Sequence, residues 1–241
     1  MSKSNPTIKN PATRFIDFHN GEFEYYDKET TESVIIPMPI YFVVLDELST
    51  ISGFCKASGS NIYSNEVHRV SDEIMRVKTF KGGYTATGLY KDIAAEIKSW
   101  GGKFTKSVYA MMILPDNQFE LVNFRFRGAA FSAWIDKKFD VDKFAVGVSE
   151  TTIEKNGATT YHVPVFAPFT LTDEINQRAI ALDKELQAYL KAYKSQQAEK
   201  EVAAVESVEP EDTGFVKESR TVGDVRKEAA AKVTEAGDLP F

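Results

Sequence analysis

The chain has 241 residues, of which 43% are hydrophobic and 12% aromatic, enough to build the core of one large domain or two small ones. No apolar run reaches about 18 residues, which excludes a membrane-spanning helix. The single Cys55 excludes an intramolecular disulfide and any cysteine-rich zinc site.

The start, MSKSNPTIKNPATR, carries bases but no apolar stretch after them, so no secretory signal is expected and the chain is placed in a reducing cytoplasm. The formal net charge of −6 is unevenly spread. From Gln196 to Phe241 eleven acids face six bases, which is −5 and leaves −1 for residues 1–195. Residues 50–110 hold nine bases and five acids, or +4. A basic middle is joined to an acidic tail.

In chain order, RFIDFHNGEFEYYD (14–27) alternates around Asn20-Gly21 and predicts a hairpin. VIIPMPIYFVVL (34–45) predicts a strand whose first part lies at an edge or bulge, because Pro37 and Pro39 cannot donate to a ladder. STISGFCKASGSNIYSNEV, after Leu48, reads as a short strand and then an exposed loop. Residues 74–90 predict two strands around Lys81-Gly82-Gly83. YKDIAAEIKS (90–99) puts Ile93, Ile97 and Trp100 on one helical face, ended by Gly101-Gly102.

A second hairpin is predicted from 103–114 and 118–127 across Pro115-Asp116-Asn117. GAAFSAWIDKKF predicts one or two helical turns, 140–158 gives no clear pattern, and TTYHVPVF (159–166) predicts a last strand. Ile175, Ala179, Leu182, Leu186, Tyr189 and Tyr193 form the stripe of an amphipathic helix capped by Thr172 or Asp173. Beyond Ser195 large apolar residues are too few to offset ordering entropy, which predicts disorder with a transient helix near 224–233. The expected class is mainly β with α additions: an antiparallel barrel, a C-terminal helix and an acidic tail.

Enzyme signals are poor. No GxxxxGK[ST] loop or GxSxG elbow occurs. His19, His68 and His162 fall in separate elements, so ordinary packing or surface roles are preferred over a metal site. Asp116 and Glu120 fit part of a nuclease carboxylate pattern, without the lysine expected two residues after the glutamate. No catalytic residue, metal or cofactor is assigned.

Signals for nucleic acid are better. Arg76 and Lys78 share a strand face, Lys81 and Tyr84 flank the Gly-Gly turn, and Lys103, Lys106 and Tyr109 interleave bases with an aromatic. Phe124 and Phe126 lie on one strand face, which is expected to pack inward, and Arg125 and Arg127 lie on the other. Lys56, Tyr63 and Arg69 sit in the presumed loop. Such a set suits a single strand, with cations along the backbone and rings stacked on bases.

The chain ends in Asp238-Leu239-Pro240-Phe241, where a ring and an α-carboxylate sit on one residue and could dock together into a partner. This ending, after an acidic linker, resembles the C-terminal tip of bacterial-type single-stranded DNA-binding proteins. The segments FVVLDELSTISGF, TGLYKDI and GGKFTKSVYAMM look like the divergent members found in bacteriophages. The resemblance implies an OB-fold and a partner-recruiting tip, so the expected organisation is an OB-like barrel over 1–170, a packed helix over 171–195 and a disordered tail with that tip over 196–241. It also implies a bacterial or phage-infected host cytoplasm. Only Glu235 and Asp238 stand near the tip, fewer acids than the family's usual cluster.

The expected function is binding and protection of single-stranded DNA during replication, recombination or repair. Enzymes of those processes would be recruited through residues 238–241. A homo-oligomer is compatible with the sequence, and a membrane partner is not. The alternatives are an annealing protein or recombination mediator, a metal-dependent nuclease using Asp116 and Glu120, and an adaptor that binds proteins only. In the adaptor Tyr63, Tyr84 and Tyr109 would face the interior.

Overall fold

The alternation around Asn20-Gly21 makes the hairpin it predicts. Strands β1 (Arg14–His19) and β2 (Glu22–Asp27) pair antiparallel across a turn where Asn20 and Gly21 have φ of 52° and 92°. Both residue types tolerate that left-handed backbone. The computed structural model describes residues 9–115 and 118–206. It separates into two compact units, Met1–Gln196 and Gln197–Phe241, and all that follows belongs to the first except the end of the last helix.

Strand β3 (Glu32–Ile36) pairs with β2 at one end of the sheet, and Pro37 and Pro39 fall in its link to β4 (Ile40–Cys55), outside both ladders. β4 does not stop after Leu48. It runs unbroken to Cys55 and turns directly into β5 (Ser60–Ser64), so the loop expected there is a hairpin. Next come β6 (Met75–Thr79) and β7 (Thr85–Gly88) around the Gly-Gly turn, and helix α1 (Tyr90–Trp100) with Ile93 and Ile97 buried. Gly101, at φ 96°, ends that helix by sending its N–H to the carbonyls of Ile97 and Lys98.

Strands β8 (Gly102–Ile113) and β9 (Phe119–Phe126) form the second hairpin. Helix α2 (Gly128–Asp136) follows, and then the hairpin β10 (Ala145–Asn156) and β11 (Thr159–Phe169). Helix α3 (Asp173–Glu206) is capped by Thr172, whose Oγ1 accepts the Ile175 N–H at 3.4 Å. It extends past the predicted end near 195. Residues 196–206, read as disordered, are rich in Ala, Glu and Gln, whose high intrinsic helix propensity outweighs their lack of large apolar groups.

The strands lie in the order β3-β2-β1-β9-β8-β4-β5-β6-β7. The first residues of β4 pair also with β10, which carries β11 on its far side. The sheet is open and mixed, not a closed antiparallel barrel. β1 enters parallel to β9, with Arg14 opposite Val122, and the ends of the path, β3 and β7, do not meet.

One face of the sheet packs inward on Ile16, Phe42, Val108, Phe124 and Phe126, against Trp134 of α2. Its continuation over Ile51, Ile62 and Val77 packs against Ile93 and Ile97 of α1. The opposite face is covered by α3 only in part, where Leu48, Tyr109 and Leu121 meet Leu186 and Leu190, and where Val43 and Met111 meet Ala179. Among the described residues no helix is long and apolar enough to cross a membrane.

β4 and the loop after α1 touch backbone to backbone at Gly53: a Cβ added there would lie 2.4 Å from the Gly101 carbonyl oxygen. Gly53→Ala is therefore expected to cost about 1–3 kcal/mol of stability through forced displacement. A thermal or urea melt checks it, and an unchanged midpoint would refute the close approach.

Candidate nucleic-acid interface

Where α3 leaves the sheet bare, the strand register brings polar, cationic and aromatic side chains onto one face. Ser52 stands opposite Tyr63 on β5, and Tyr63 opposite Lys78 on β6. On the other side, Leu48 stands opposite Ser107, Ser107 opposite Arg125, and Arg125 opposite Asp17. Residues paired in register point the same way, so β1, β9, β8, β4, β5 and β6 share this surface.

The surface forms a cleft of about 860 Å3. Its floor is polar, with Thr50, Ser52, Ser107 and Asn123; Phe15, Arg125 and Arg127 line it, as do Phe54, Tyr63, Phe80 and Lys81, and α3 contributes Tyr189 and Tyr193. Phe80 is 72% and Phe54 53% exposed, far from the burial expected of core phenylalanines. Lys78 lies 5.4 Å above the Tyr63 ring and Arg125 5.7 Å above that of Phe15. These are cation–π distances, so ring and charge are presented together. Arg125 and Arg127 both bond to Asp17, the latter at 2.7 Å, and Arg127 also reaches Ser52 Oγ at 3.5 Å.

Beneath one end lies a hydrogen-bonded chain. Glu66 accepts from Ser107 Oγ at 2.5 Å and from Tyr109 Oη at 2.8 Å. Ser107 in turn accepts from Asn123 Nδ2 at 2.7 Å, and Tyr109 from Asn10 Nδ2 at 2.8 Å. The Glu66 backbone N–H donates to Tyr193 of α3. Burial pushes the Glu66 carboxyl above its ordinary range, and the two hydroxyl donors only partly restore the ionised form. Burial likewise raises Tyr189, to about 12.

Of the residues expected to touch nucleic acid, Tyr63, Lys81, Arg125 and Arg127 line the cleft and Lys78 stands over Tyr63. Arg76 shares the Lys78 side of β6, opposite Thr87. Lys56 lies exposed in the β4–β5 turn, and Arg69 pairs with Asp72 at 3.7 Å in a separate loop. Lys103 lines a different hollow along α1.

Three placements are corrected. Tyr109 has no exposed surface and is held under α3 by Glu66 and Asn10, so it offers no ring to a base. Tyr84 packs on Trp100 at 5.5 Å in the α1 core. Lys106 lies on the inward face opposite Phe126 and pairs with Glu47 at 3.0 Å.

Phe15, Phe54, Phe80, Asn123, Tyr189 and Tyr193 were not singled out. Phe15 and Phe54 were detectable in principle, since each adds a large apolar group on the polar side of a strand alternation. Phe124 and Phe126 are buried as expected. His68 contacts Asp46 and Lys194, and among the described residues no group of three His, Cys, Asp or Glu is placed to hold a metal ion. Glu120 accepts from Thr13 and pairs with Arg14 at 3.2 Å, fastening β9 to β1. Asp116 and the tip Asp238–Phe241 lie outside the described residues. Compared with family models, with curated proteins and with solved structures, the chain matches none.

Glu66 holds its proton more tightly folded than unfolded, so rising pH favours the unfolded chain across the interval between its ordinary and its raised value. The contribution is full below that interval and lost above it. Urea unfolding of wild type and Glu66→Gln from acidic to neutral pH is expected to show this decline in the wild type and its absence in the variant. Parallel curves would show that Glu66 is not perturbed.

Proposed function

We propose that this chain is a non-enzymatic single-stranded DNA-binding protein that coats and protects unpaired DNA during replication, recombination or repair. Supporting this reading above all is the cleft: Phe15, Phe54, Tyr63 and Phe80 are presented on one surface, interspersed with Lys78, Lys81, Arg125 and Arg127. Exposed rings are platforms for any base, and the cations between them suit a phosphate track. Such a site grips with little sequence preference, because every base has a face to stack.

The protein-only adaptor gains something from the burial of Tyr109 and from the half-buried Tyr84 packing on Trp100, two of the three rings whose inward placement it required. Phe54 and Phe80 would serve that reading too, and nucleic acid is favoured by the cations interspersed with them. In the same proposal the segment Asp238-Leu239-Pro240-Phe241 recruits replication or recombination enzymes, its aromatic ring docking into an apolar pocket of the partner.

Affinity for oligothymidylate measured across salt tests the reading: log affinity is expected to fall linearly with log salt, with a slope of about −0.7 for each neutralised phosphate. Absence of binding at low salt would overturn it. Phe80→Ala and Tyr63→Ala are each expected to weaken binding by about 1–3 kcal/mol and to leave the salt slope unchanged. Deleting residues 238–241 is expected to leave DNA affinity intact or tighter while abolishing pull-down of a replication or recombination enzyme. Retained pull-down would show that the tip is not the recruiting element.

A further inference from the structure

Two polar atoms at the cleft lack hydrogen-bond partners among the described residues: Oδ1 of Asn123, an acceptor, and Nε–H of Arg125, a donor. Both residues line the cleft, two positions apart on the same face of β9. Buried unpaired polar atoms are rare, because each forfeits water without gaining a partner. A complementary donor and acceptor on one strand face of a cleft suit a ligand that supplies both missing bonds.

The orientation of the Asn123 amide follows from its neighbours. Ser107 spends its hydroxyl hydrogen on Glu66 Oε1, at 2.5 Å. Ser107 then has only a lone pair for Asn123, which must turn its NH2 toward it and leave Oδ1 free. Glu66 and Ser107 thus act as positioning residues that fix an acceptor at the cleft floor.

We propose that Asn123 and Arg125 take the Watson–Crick edge of one unpaired base, so that the cleft selects single strands by hydrogen bonding as well as by stacking. The proposal rests on the reading that the cleft holds single-stranded DNA. All four bases present a donor next to an acceptor on that edge: thymine N3–H beside O4, guanine N1–H beside O6, and the cytosine and adenine amino groups beside a ring nitrogen. The pair therefore holds any base. In a duplex the same edge is already paired, and neither atom finds its partner. Both atoms are shielded from water in the free protein. A base reaches them as the long Arg125 side chain shifts.

The test compares the full chain binding oligothymidylate with its binding to an oligomer of N3-methylthymidine, at equal length and salt. Methylation leaves phosphates and ring faces in place and blocks the N3–H edge. The methylated oligomer is expected to bind roughly 5- to 150-fold more weakly, the range for one good base-edge contact. Asn123→Leu should lower thymidylate binding to the methylated level and erase the difference, whereas Phe80→Ala should weaken both oligomers alike. Equal affinity of the unaltered chain for the two oligomers overturns the edge contact and leaves the stacking reading in place. No binding to oligothymidylate at low salt overturns both.

Discussion

A sheet face that is apolar at one end and polar at the other can be covered by a helix only part of the way. Here the face changes character within single strands. β4 passes from Val43 and Leu48 to Thr50 and Ser52, β8 from Met111 and Tyr109 to Ser107 and Thr105, and β9 from Leu121 to Asn123 and Arg125. The three changes lie side by side in the register. α3 buries the apolar half through Ala179, Leu186 and Leu190, and its packing ends where the face turns polar; there the buried Thr105, Ser107 and Asn123 are held by hydrogen bonds, because burying them without partners would cost several kcal/mol. The cleft begins where the hydrophobic effect stops supporting the helix, and Tyr189 and Tyr193 mark that boundary.

Much of the local structure was legible in the sequence. Asn20-Gly21, the Gly-Gly turn, the Ile93–Ile97 face and the α3 stripe are short-range patterns whose physics is contained within a dozen residues. The sequence did not reveal β4 as one long strand. Ser49, Thr50, Ser52 and Gly53 read only as a separate short strand, yet they continue β4, where Thr50 and Ser52 line the cleft and Gly53 is required by the Gly101 carbonyl. The parallel entry of β1 beside β9 was equally hidden, because Arg14 and Val122 share no local signal.

The candidate site was half legible for a related reason. Period-two alternation tells which residues of a strand face the same way, and it correctly separated Phe124 and Phe126 from Arg125 and Arg127. It does not tell where along that face a helix will sit. Tyr109 and Arg125 belong to one surface, and α3 buries the first while the second lines a cleft. Lys106 failed differently: it lies on the inward face, where Glu47 pairs with it. The cleft also draws on Phe15 and on two α3 tyrosines, contributions that only tertiary assembly brings together.

Asp17 gives the cleft a further property. Its carboxylate already occupies Arg125 and Arg127, so an anion arriving there trades places with a resident one of similar shape. The exchange leaves both guanidinium groups paired before and after. Contacts of that kind turn over quickly, which on the proposed reading would let a coating protein be pushed aside by the next enzyme along the strand.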